Sequence, residues 1–255
     1  SNWMPRFKMP STHSANTAIT APQKMRRASV AWEKLNQDII ACTACDRLTA
    51  YCQEIATTKR RAYQDQEYWG KPVPNFGDAK ARLLIVGLAP GAHGANRTGR
   101  MFTGDRSGDW LFRALAKAGF ANQPTSNAVE DGLQLTDCAV TNACHCAPPQ
   151  NKPLKEEIQK CRYWLGQTFS LVPATVILAL GGLAWRQILE YAENEGWRSG
   201  RRPKFGHGTT VQFAEQRTLI GSYHPSQQNT FTGRLTEAML DTVFAKVNEI
   251  LKNKA

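Results

Sequence analysis

Four short runs rich in apolar residues divide the chain. They lie at residues 82–87, 138–142, 175–180 and 217–223. Apolar positions that follow one another without alternation are typical of strands buried on both faces of a parallel sheet. The pattern therefore predicts four core strands.

Apolar residues at helical spacing precede, separate and follow these runs. Ser107 is the predicted N-cap of one helix, and Pro153 is predicted to open another. Further helices are expected from about residue 28, over 182–193 and over 235–251. The residues predicted to face the core are Val30, Leu35, Ile39, Ile40, Leu111, Leu115, Ala118, Ile158, Cys161, Leu165, Phe169, Leu240, Val243, Val247 and Leu251.

Strands that alternate with helices indicate an α/β fold: one domain with a mostly parallel, four-stranded sheet flanked by helices. We assign this domain to residues 28–255. Residues 1–27 contain five Lys or Arg and no Asp or Glu, which predicts a flexible basic arm.

The charge, the apolar content and the cysteines of the chain limit the kinds of partner and the location it can have. The 255 residues carry a net charge of +11, which favours a polyanionic partner, with nucleic acid first. No apolar run approaches the roughly 20 residues needed to span a bilayer, so a membrane protein is excluded. Seven cysteines, an odd number, without the apolar region of a signal peptide indicate reduced thiols in a cytoplasmic protein, available for metal binding or catalysis.

Polar clusters follow three of the predicted strands. They are the segments 87–94 (GLAPGAHG), 141–146 (TNACHC) and 223–226 (YHPS). Ligands of open α/β sheets bind beyond the carboxyl ends of the strands. The three clusters therefore predict one pocket at one edge of the sheet.

Two longer segments carry a resemblance to a known family. Residues 87–105 (GLAPGAHGANRTGRMFTGD) and 224–236 (HPSQQNTFTGRLT) resemble the family 5 uracil-DNA glycosylases, the iron–sulfur branch of that superfamily. The resemblance extends from about residue 41 to the C-terminus. It implies the uracil-DNA glycosylase fold, hydrolysis of N-glycosidic bonds in DNA and a 4Fe–4S cluster.

The cysteines include a C-x-x-C pair, Cys42 and Cys45, which is a common half-site for zinc or an iron–sulfur cluster. Spacing alone leaves zinc open, and it also leaves three other cysteines open as ligands, namely Cys52, Cys138 and Cys144. The resemblance implies a 4Fe–4S cluster, with zinc less favoured. Its ligands would be Cys42, Cys45, Cys146 and Cys161.

Three residues of the motifs suit base excision. Cleavage leaves negative charge on uracil O2, and a neutral imidazole at His224 would donate a hydrogen bond to it. The amide of Asn142 has the donors and acceptor needed to bind the edge of a flipped uracil, although it could instead cap a strand end. Phe102 matches the aromatic that stacks on the extruded base in this superfamily; the alternative is a core residue.

Ala89 stands where related glycosylases carry an Asp or Asn that holds the attacking water, and the resemblance implies that family 5 shares this gap. Asp105 is the nearest carboxylate, and we assign it the water-positioning and cation-stabilising role, with a helix cap as the alternative. Gly87 and Gly91 are expected to line the base pocket. Gly91 replaces a bulky Tyr of the uracil-specific branch, which predicts tolerance of hypoxanthine, ethenocytosine and 5-hydroxymethyluracil.

Contacts to DNA are expected from the second motif. Ser226 suits a phosphate, and the segment 227–229 lies where the superfamily inserts a wedge into the duplex. His93 and His207 are expected to order loops. The residues predicted to contact DNA are Ser226, Gln227, Gln228, Asn229 and Arg234, with Arg97, Arg100 and Arg106 on the same rim. A second basic group, either a phosphate contact or a solvated loop, comprises Arg198, Arg201, Arg202 and Lys204.

These observations predict a DNA glycosylase of base-excision repair. It should be monofunctional, without a lyase step, because no lysine in the motifs could form a Schiff base. We expect a monomer in the cytoplasm, associated with the nucleoid, whose abasic product passes to downstream repair enzymes. The alternative, supported by Ala89, is a metal-stapled DNA-binding protein of the same fold without glycosylase activity.

Overall fold

The central strands of the sheet coincide with the four apolar runs. In the computed structural model, which describes residues 21–254, these strands are β2 (Leu83–Gly87), β3 (Cys138–Asn142), β4 (Val176–Leu180) and β6 (Thr218–Ser222). They are parallel, and every residue in them is buried. This confirms the α/β class and the parallel core.

The sheet has six strands rather than the predicted four. Its order is β1-β3-β2-β4-β6-β5, and the additional edge strands β1 (Phe76–Gly77) and β5 (Thr210–Gln212) are antiparallel to their neighbours. Both are two or three residues long and only partly buried, so neither leaves an apolar run in the sequence.

Eight helices flank the sheet in the described part of the chain. Leu83, Ile85 and Leu178 face one apolar cluster, whereas Leu84 and Ile177 face the other, as the alternation of side chains along a strand requires. The helices are α1 (Ala21–Ile40), α2 (Asp46–Thr58), α3 (Ala95–Thr98), α4 (Arg106–Lys117), α5 (Lys155–Leu171), α6 (Gly182–Asn194), α7 (Gln227–Phe231) and α8 (Glu237–Asn253).

The two main clusters use different helices. The first contains the apolar faces of α4 and α8, including all four residues predicted to face inward from the last helix. The second contains α5, α6 and Trp32 of α1. Helices on both faces leave the carboxyl edge of the parallel strands open for a site. None of the described helices combines the length and the apolar character needed to cross a membrane.

Several predicted helix starts need correction. Helix α1 begins at Ala21, so residues 21–27 of the predicted arm are helical, and the rest of the arm lies outside the described residues. Val30 is 58% exposed, although Leu35 and Ile39 are buried as predicted. The N-cap of α4 is Asp105, not Ser107. Helix α5 begins at Lys155, two residues after Pro153, with Leu154 as its N-cap.

Candidate active site

A cleft of about 560 Å³ lies beyond the carboxyl ends of β2, β3 and β6. It is assembled from all three polar clusters, which are separated in the sequence by 46 and 76 residues. The residues predicted for the site that line the cleft are Ala89, Gly91, Phe102, Asp105, Asn142, His224, Ser226, Gln227 and Gln228.

Other predicted residues lie outside the lining. Gly87 lies behind the lining, next to Asn142 and Phe102. Asn229 donates a hydrogen bond from Nδ2 to the backbone oxygen of His224 at 2.8 Å. The Arg234 guanidinium stacks on the Tyr223 ring at 4.7 Å. Leu88 and Pro90 of the predicted segment 87–94 also line the cleft, and so does Arg106, which was predicted on its rim. The lining residues that the sequence did not indicate are Ser107, Gln150 and Asn151.

Gly87 makes room for two side chains of the cleft. A β carbon added at Gly87 would lie 2.3 Å from Oδ1 of Asn142 and 2.7 Å from Cζ of Phe102. Any larger residue would therefore push both side chains out of position. Gly87 shapes the pocket from behind.

Phe102 has a left-handed backbone, with φ of +53°, which non-glycine residues rarely adopt. Its ring centroid lies 6.0 Å from that of His224, at an interplanar angle of 33°. Strained backbones of this kind concentrate at functional sites. The ring thus belongs to both the core and the cleft, since it is largely buried yet contributes to the lining.

Asn142 ends β3 with a buried side chain. Its Nδ2 donates to the Met101 thioether at 2.8 Å, and its Oδ1 has no hydrogen-bond partner among the described residues. An unpaired buried acceptor costs free energy, which a ligand with a suitable donor recovers.

Asp105 serves two functions in the fold. Its Oδ1 accepts a hydrogen bond from the Gly108 backbone N–H at 3.0 Å and so caps α4. Its carboxyl group also lines the cleft. Burial raises the pKa of Asp105, and this rise is partly offset by the Gly108 and Ser107 N–H groups and by the charge of Arg97.

His224 follows β6 and lies within the cleft lining. Loss of solvent around the ring lowers its pKa to about 4. The imidazole is therefore neutral near pH 7, and one ring nitrogen carries a hydrogen that can be donated.

Arg97 and Arg100 are buried within the protein, which contradicts their predicted place on the DNA-contacting rim. Arg97 donates to the backbone oxygens of His93 at 2.7 Å and Gly104 at 2.8 Å. Arg100 pairs with Asp131 at 2.7 Å. The two guanidinium groups hold the loop that carries Phe102 and Asp105, and they are not available to phosphates.

Some of the other basic and histidine positions also have internal partners. In the second basic group, which the sequence left open as a phosphate contact or a solvated loop, Arg198 and Arg202 both pair with Glu193. His207 accepts from the Tyr223 N–H at 3.1 Å, and the ring of His93 contacts the Tyr68 hydroxyl at 3.0 Å. Both histidines therefore order loops, as the sequence predicts.

A second cavity is lined by the four cysteines Cys42, Cys45, Cys146 and Cys161. Two N–H groups point at its sulfurs: Trp164 Nε1 donates to Cys42 at 3.4 Å, and the His145 backbone donates to Cys161 at 3.3 Å. The other cysteines lie outside this lining. No three or more His, Cys, Asp or Glu side chains in residues 21–254 surround a single metal-ion position.

The family model for the uracil DNA glycosylase superfamily matches residues 74–252. This range includes the whole sheet and all three segments that build the cleft. The chain therefore belongs to the uracil DNA glycosylase superfamily, and within it to the type-5 family that the following relatives define.

Three relatives each match more than four fifths of the chain. The type-5 uracil-DNA glycosylase of Mycobacterium leprae (strain TN) is 51% identical over 85% of this chain and 94% of its own length. That of Thermus thermophilus is 43% identical, over 86% and 97%. That of Pyrobaculum aerophilum is 42% identical, over 82% and 88%.

Proposed function

We propose that the chain removes uracil, and other deaminated or damaged bases that its pocket admits, from DNA in base-excision repair. The observation that carries this proposal is the assembly of Asn142, Asp105 and His224 in one cleft with an aromatic ring. The cleft is open to the surface, and a nucleobase must leave the DNA stack to enter it.

Phe102 and Asn142 bind the everted base. The Phe102 ring offers a face for the everted base, and the unpaired Oδ1 of Asn142 offers an acceptor for uracil N3–H. Pairing of this atom by the correct base would recover the free energy lost by its burial. A base without a suitable donor would leave the atom unpaired.

His224 stabilises the leaving group. As the bond between C1′ and N1 breaks, its electron pair passes to the base and negative charge develops at O2. A neutral imidazole donates a hydrogen bond there without having to lose a proton first, and its low pKa keeps it neutral. A positioned donor of this kind accelerates cleavage by roughly 10²–10³-fold.

Asp105 acts on the sugar side. Its carboxylate stabilises the positive charge that develops on deoxyribose and orients the water that adds to C1′, which then releases a proton to the carboxylate or to solvent. Ala89 lines the same cleft but has no group that could hold this water. Electrostatic stabilisation of a dissociative transition state therefore supplies most of the rate.

Gly91 supports a broad choice of base. It leaves its side of the cleft open, which suits hypoxanthine, ethenocytosine and 5-hydroxymethyluracil as well as uracil. Gly91 also makes room for Asp105, because an added β carbon would lie 3.1 Å from Oδ2 of that residue. Its lack of a side chain thus serves both substrate choice and placement of the carboxylate.

DNA is held by the start of α7. Ser226 caps this helix and presents a backbone N–H and hydroxyl at the cleft, and Gln227 and Gln228 are exposed beside it. The Asn229 side chain donates a hydrogen bond to the backbone oxygen of His224 and so holds this loop. Gln227 and Gln228 therefore form the wedge, and Asn229 supports the catalytic loop.

We further assign a 4Fe–4S cluster to the cysteine-lined cavity. Four thiols share it, and N–H groups from Trp164 and His145 point at two of the sulfurs, as expected where sulfur carries negative charge. Cys42, Cys45, Cys146 and Cys161 would hold the cluster. When bound, it would supply a structural link between the segment before α2 and the loop after β3.

A panel of duplexes, each with one altered base, tests the activity. Wild-type protein should yield alkali-labile sites at uracil and at a subset of the larger bases, and His224→Ala should abolish cleavage while retaining salt-dependent DNA binding. Binding without cleavage of any base would favour the non-enzymatic alternative. A covalent adduct trapped by borohydride would contradict the monofunctional mechanism.

A further inference from the structure

Phe231 is the most exposed of the large apolar residues in the described chain, at 67%. It ends α7, the helix that begins at the cleft with Gln227. Residues four apart lie on the same face of a helix, so Phe231 continues the surface that Gln227 starts. The ring is therefore exposed on the helix that begins at the cleft, where a ligand that extends out of the cleft would contact it.

The Phe231 ring is held in place by Arg106, whose guanidinium stacks on it at 4.4 Å. Arg106 is the first residue of α4 and follows Asp105 directly, and it lines the cleft. The Arg106–Phe231 pair therefore joins the wall that carries Asp105 to the wall that carries His224. None of the ion pairs between described residues includes Arg106, so its charge remains available.

We propose that Phe231, held by Arg106, is a stacking platform for a base of the duplex beside the everted nucleotide, with Arg106 neutralising the adjacent phosphate. The partner is DNA because the platform is continuous with the cleft, its one charged member is a cation and the whole chain carries +11. Aromatic rings stack on any base, so the platform adds affinity without reading sequence. This inference rests on the proposed function, since it places the platform relative to an everted base.

Binding to duplexes with a tetrahydrofuran abasic analogue tests the platform without any need for cleavage. Phe231→Ala should weaken binding by about tenfold, and Phe231→Trp should restore it. Phe231→Leu separates stacking from apolar contact and should behave like Phe231→Ala. Tyr163→Ala is the matched control, because Tyr163 is 61% exposed on α5 outside the cleft lining, and it should bind like wild type.

The fluorescence of 2-aminopurine, which stacking quenches, locates the base that meets the ring. Wild-type protein should quench the probe either opposite the abasic analogue or at the neighbouring position of the same strand, and Phe231→Ala should lose that quenching. Arg106→Gln should reduce the dependence of affinity on salt by about one phosphate contact. Thermal unfolding would verify that each variant is folded.

Two outcomes would overturn the proposed stacking platform. One is that Phe231→Ala keeps the affinity and the quenching of wild type, and the other is that Phe231→Leu keeps both. Either result would leave the glycosylase proposal intact, provided that wild-type protein still cleaves uracil-containing DNA. Conversely, a wild-type protein that binds and quenches but cleaves no altered base would refute the proposed catalysis and leave the platform standing.

Discussion

The carboxylate of Asp105 occupies the space that a side chain at Gly94 would need. A β carbon added at Gly94 would lie 2.1 Å from Oδ2 and 2.8 Å from Cγ of Asp105. Gly94 precedes α3 and has no catalytic group of its own. Its lack of a side chain nevertheless determines where the proposed catalytic carboxylate lies.

Gly94→Ala should therefore displace Asp105 and lower kcat by about 10²-fold, because a shift near 1 Å in a catalytic group has an effect of this size. Gly91→Ala provides a graded comparison, since its β carbon would lie 3.1 Å from the same oxygen and should have a smaller effect. Single-turnover cleavage of a uracil duplex measures both. Equal rates for Gly94→Ala and wild type would show that the carboxylate need not lie where it does.

Asp105→Asn separates the two functions of this residue. Asparagine caps helices as well as aspartate does, so α4 should keep its start and the protein its stability. The rate should fall by about 10²-fold or more, with DNA affinity little changed. Asp109→Asn is the matched control, because Asp109 is an exposed carboxylate in the first turn of the same helix. Equal losses of rate and binding would make Asp105 a structural residue.

The pH profile should distinguish the two titratable groups. His224 has a pKa of about 4, below the ordinary 6.5, so it stays neutral and competent throughout the range from pH 5 to pH 8. Burial raises the pKa of Asp105 above 3.8, so the rate should fall on the acid side as this carboxylate takes up a proton. Asp105→Asn should remove that dependence. A midpoint near 6.5 that persists in Asp105→Asn would mean that the pKa of His224 is not lowered and that this ring titrates normally.

The sequence predicts the parallel core because strands buried on both faces must be apolar at every position. The runs predicted at residues 82–87 and 175–180 satisfy this requirement at every position after the first, and the structure confirms both as strands that begin one residue later. The edge strand Thr210–Gln212 leaves no such pattern, because one of its sides is exposed and it is only three residues long. Pairing with a neighbour, not its own composition, makes it a strand.

The site follows from one rule of the fold. Polar residues at the carboxyl ends of parallel strands meet at one edge, and this rule placed Asn142 and His224 together from positions 82 residues apart in the chain. The rule says nothing about loops that approach the edge from elsewhere. Gln150 and Asn151 line the cleft although no strand end predicts them, since they belong to the loop after β3, where both have left-handed backbones.

The buried arginines Arg97 and Arg100 show a different limit of prediction from the sequence. An arginine in a polar motif beside a predicted DNA site has the composition of a phosphate contact. Arg97 donates to two backbone oxygens, which no residue type identifies, and to the side chain of Gln66, 31 residues earlier in the chain. Asp131 lies 31 residues from Arg100 in a separate loop. Only the folded chain shows that these charges hold a loop.

The Arg100–Asp131 pair should contribute to stability in a pH-dependent way. Burial raises the pKa of Asp131, but hydrogen bonds from Arg100 and from three backbone N–H groups outweigh this and lower it to about 2, below the ordinary 3.8. The contribution is therefore present above pH 4 and is lost as the pH falls towards 2. Asp131→Asn should lower the free energy of unfolding at pH 7 by about 2 kcal/mol.

Urea unfolding at pH 7 and at low pH measures this contribution. Asp38→Asn is the control, because the Lys34–Asp38 pair is exposed and should contribute less than about 0.5 kcal/mol. The difference between Asp131→Asn and wild type should shrink at acid pH. A difference that stays constant with pH would assign the loss to packing.

The cysteine cavity gives a prediction that depends on colour and not on activity. Cys146→Ser removes one of the four thiols that line it, so the purified variant should lose the broad visible absorption of an iron–sulfur cluster and unfold at a lower temperature. Cys138→Ala, a change at a buried thiol outside this cavity, should keep the colour. Elemental analysis of wild-type protein should find iron and sulfide. A colourless wild-type protein that contains zinc would replace the cluster with a single-ion site, and colour retained in Cys146→Ser would move the ligand to another cysteine.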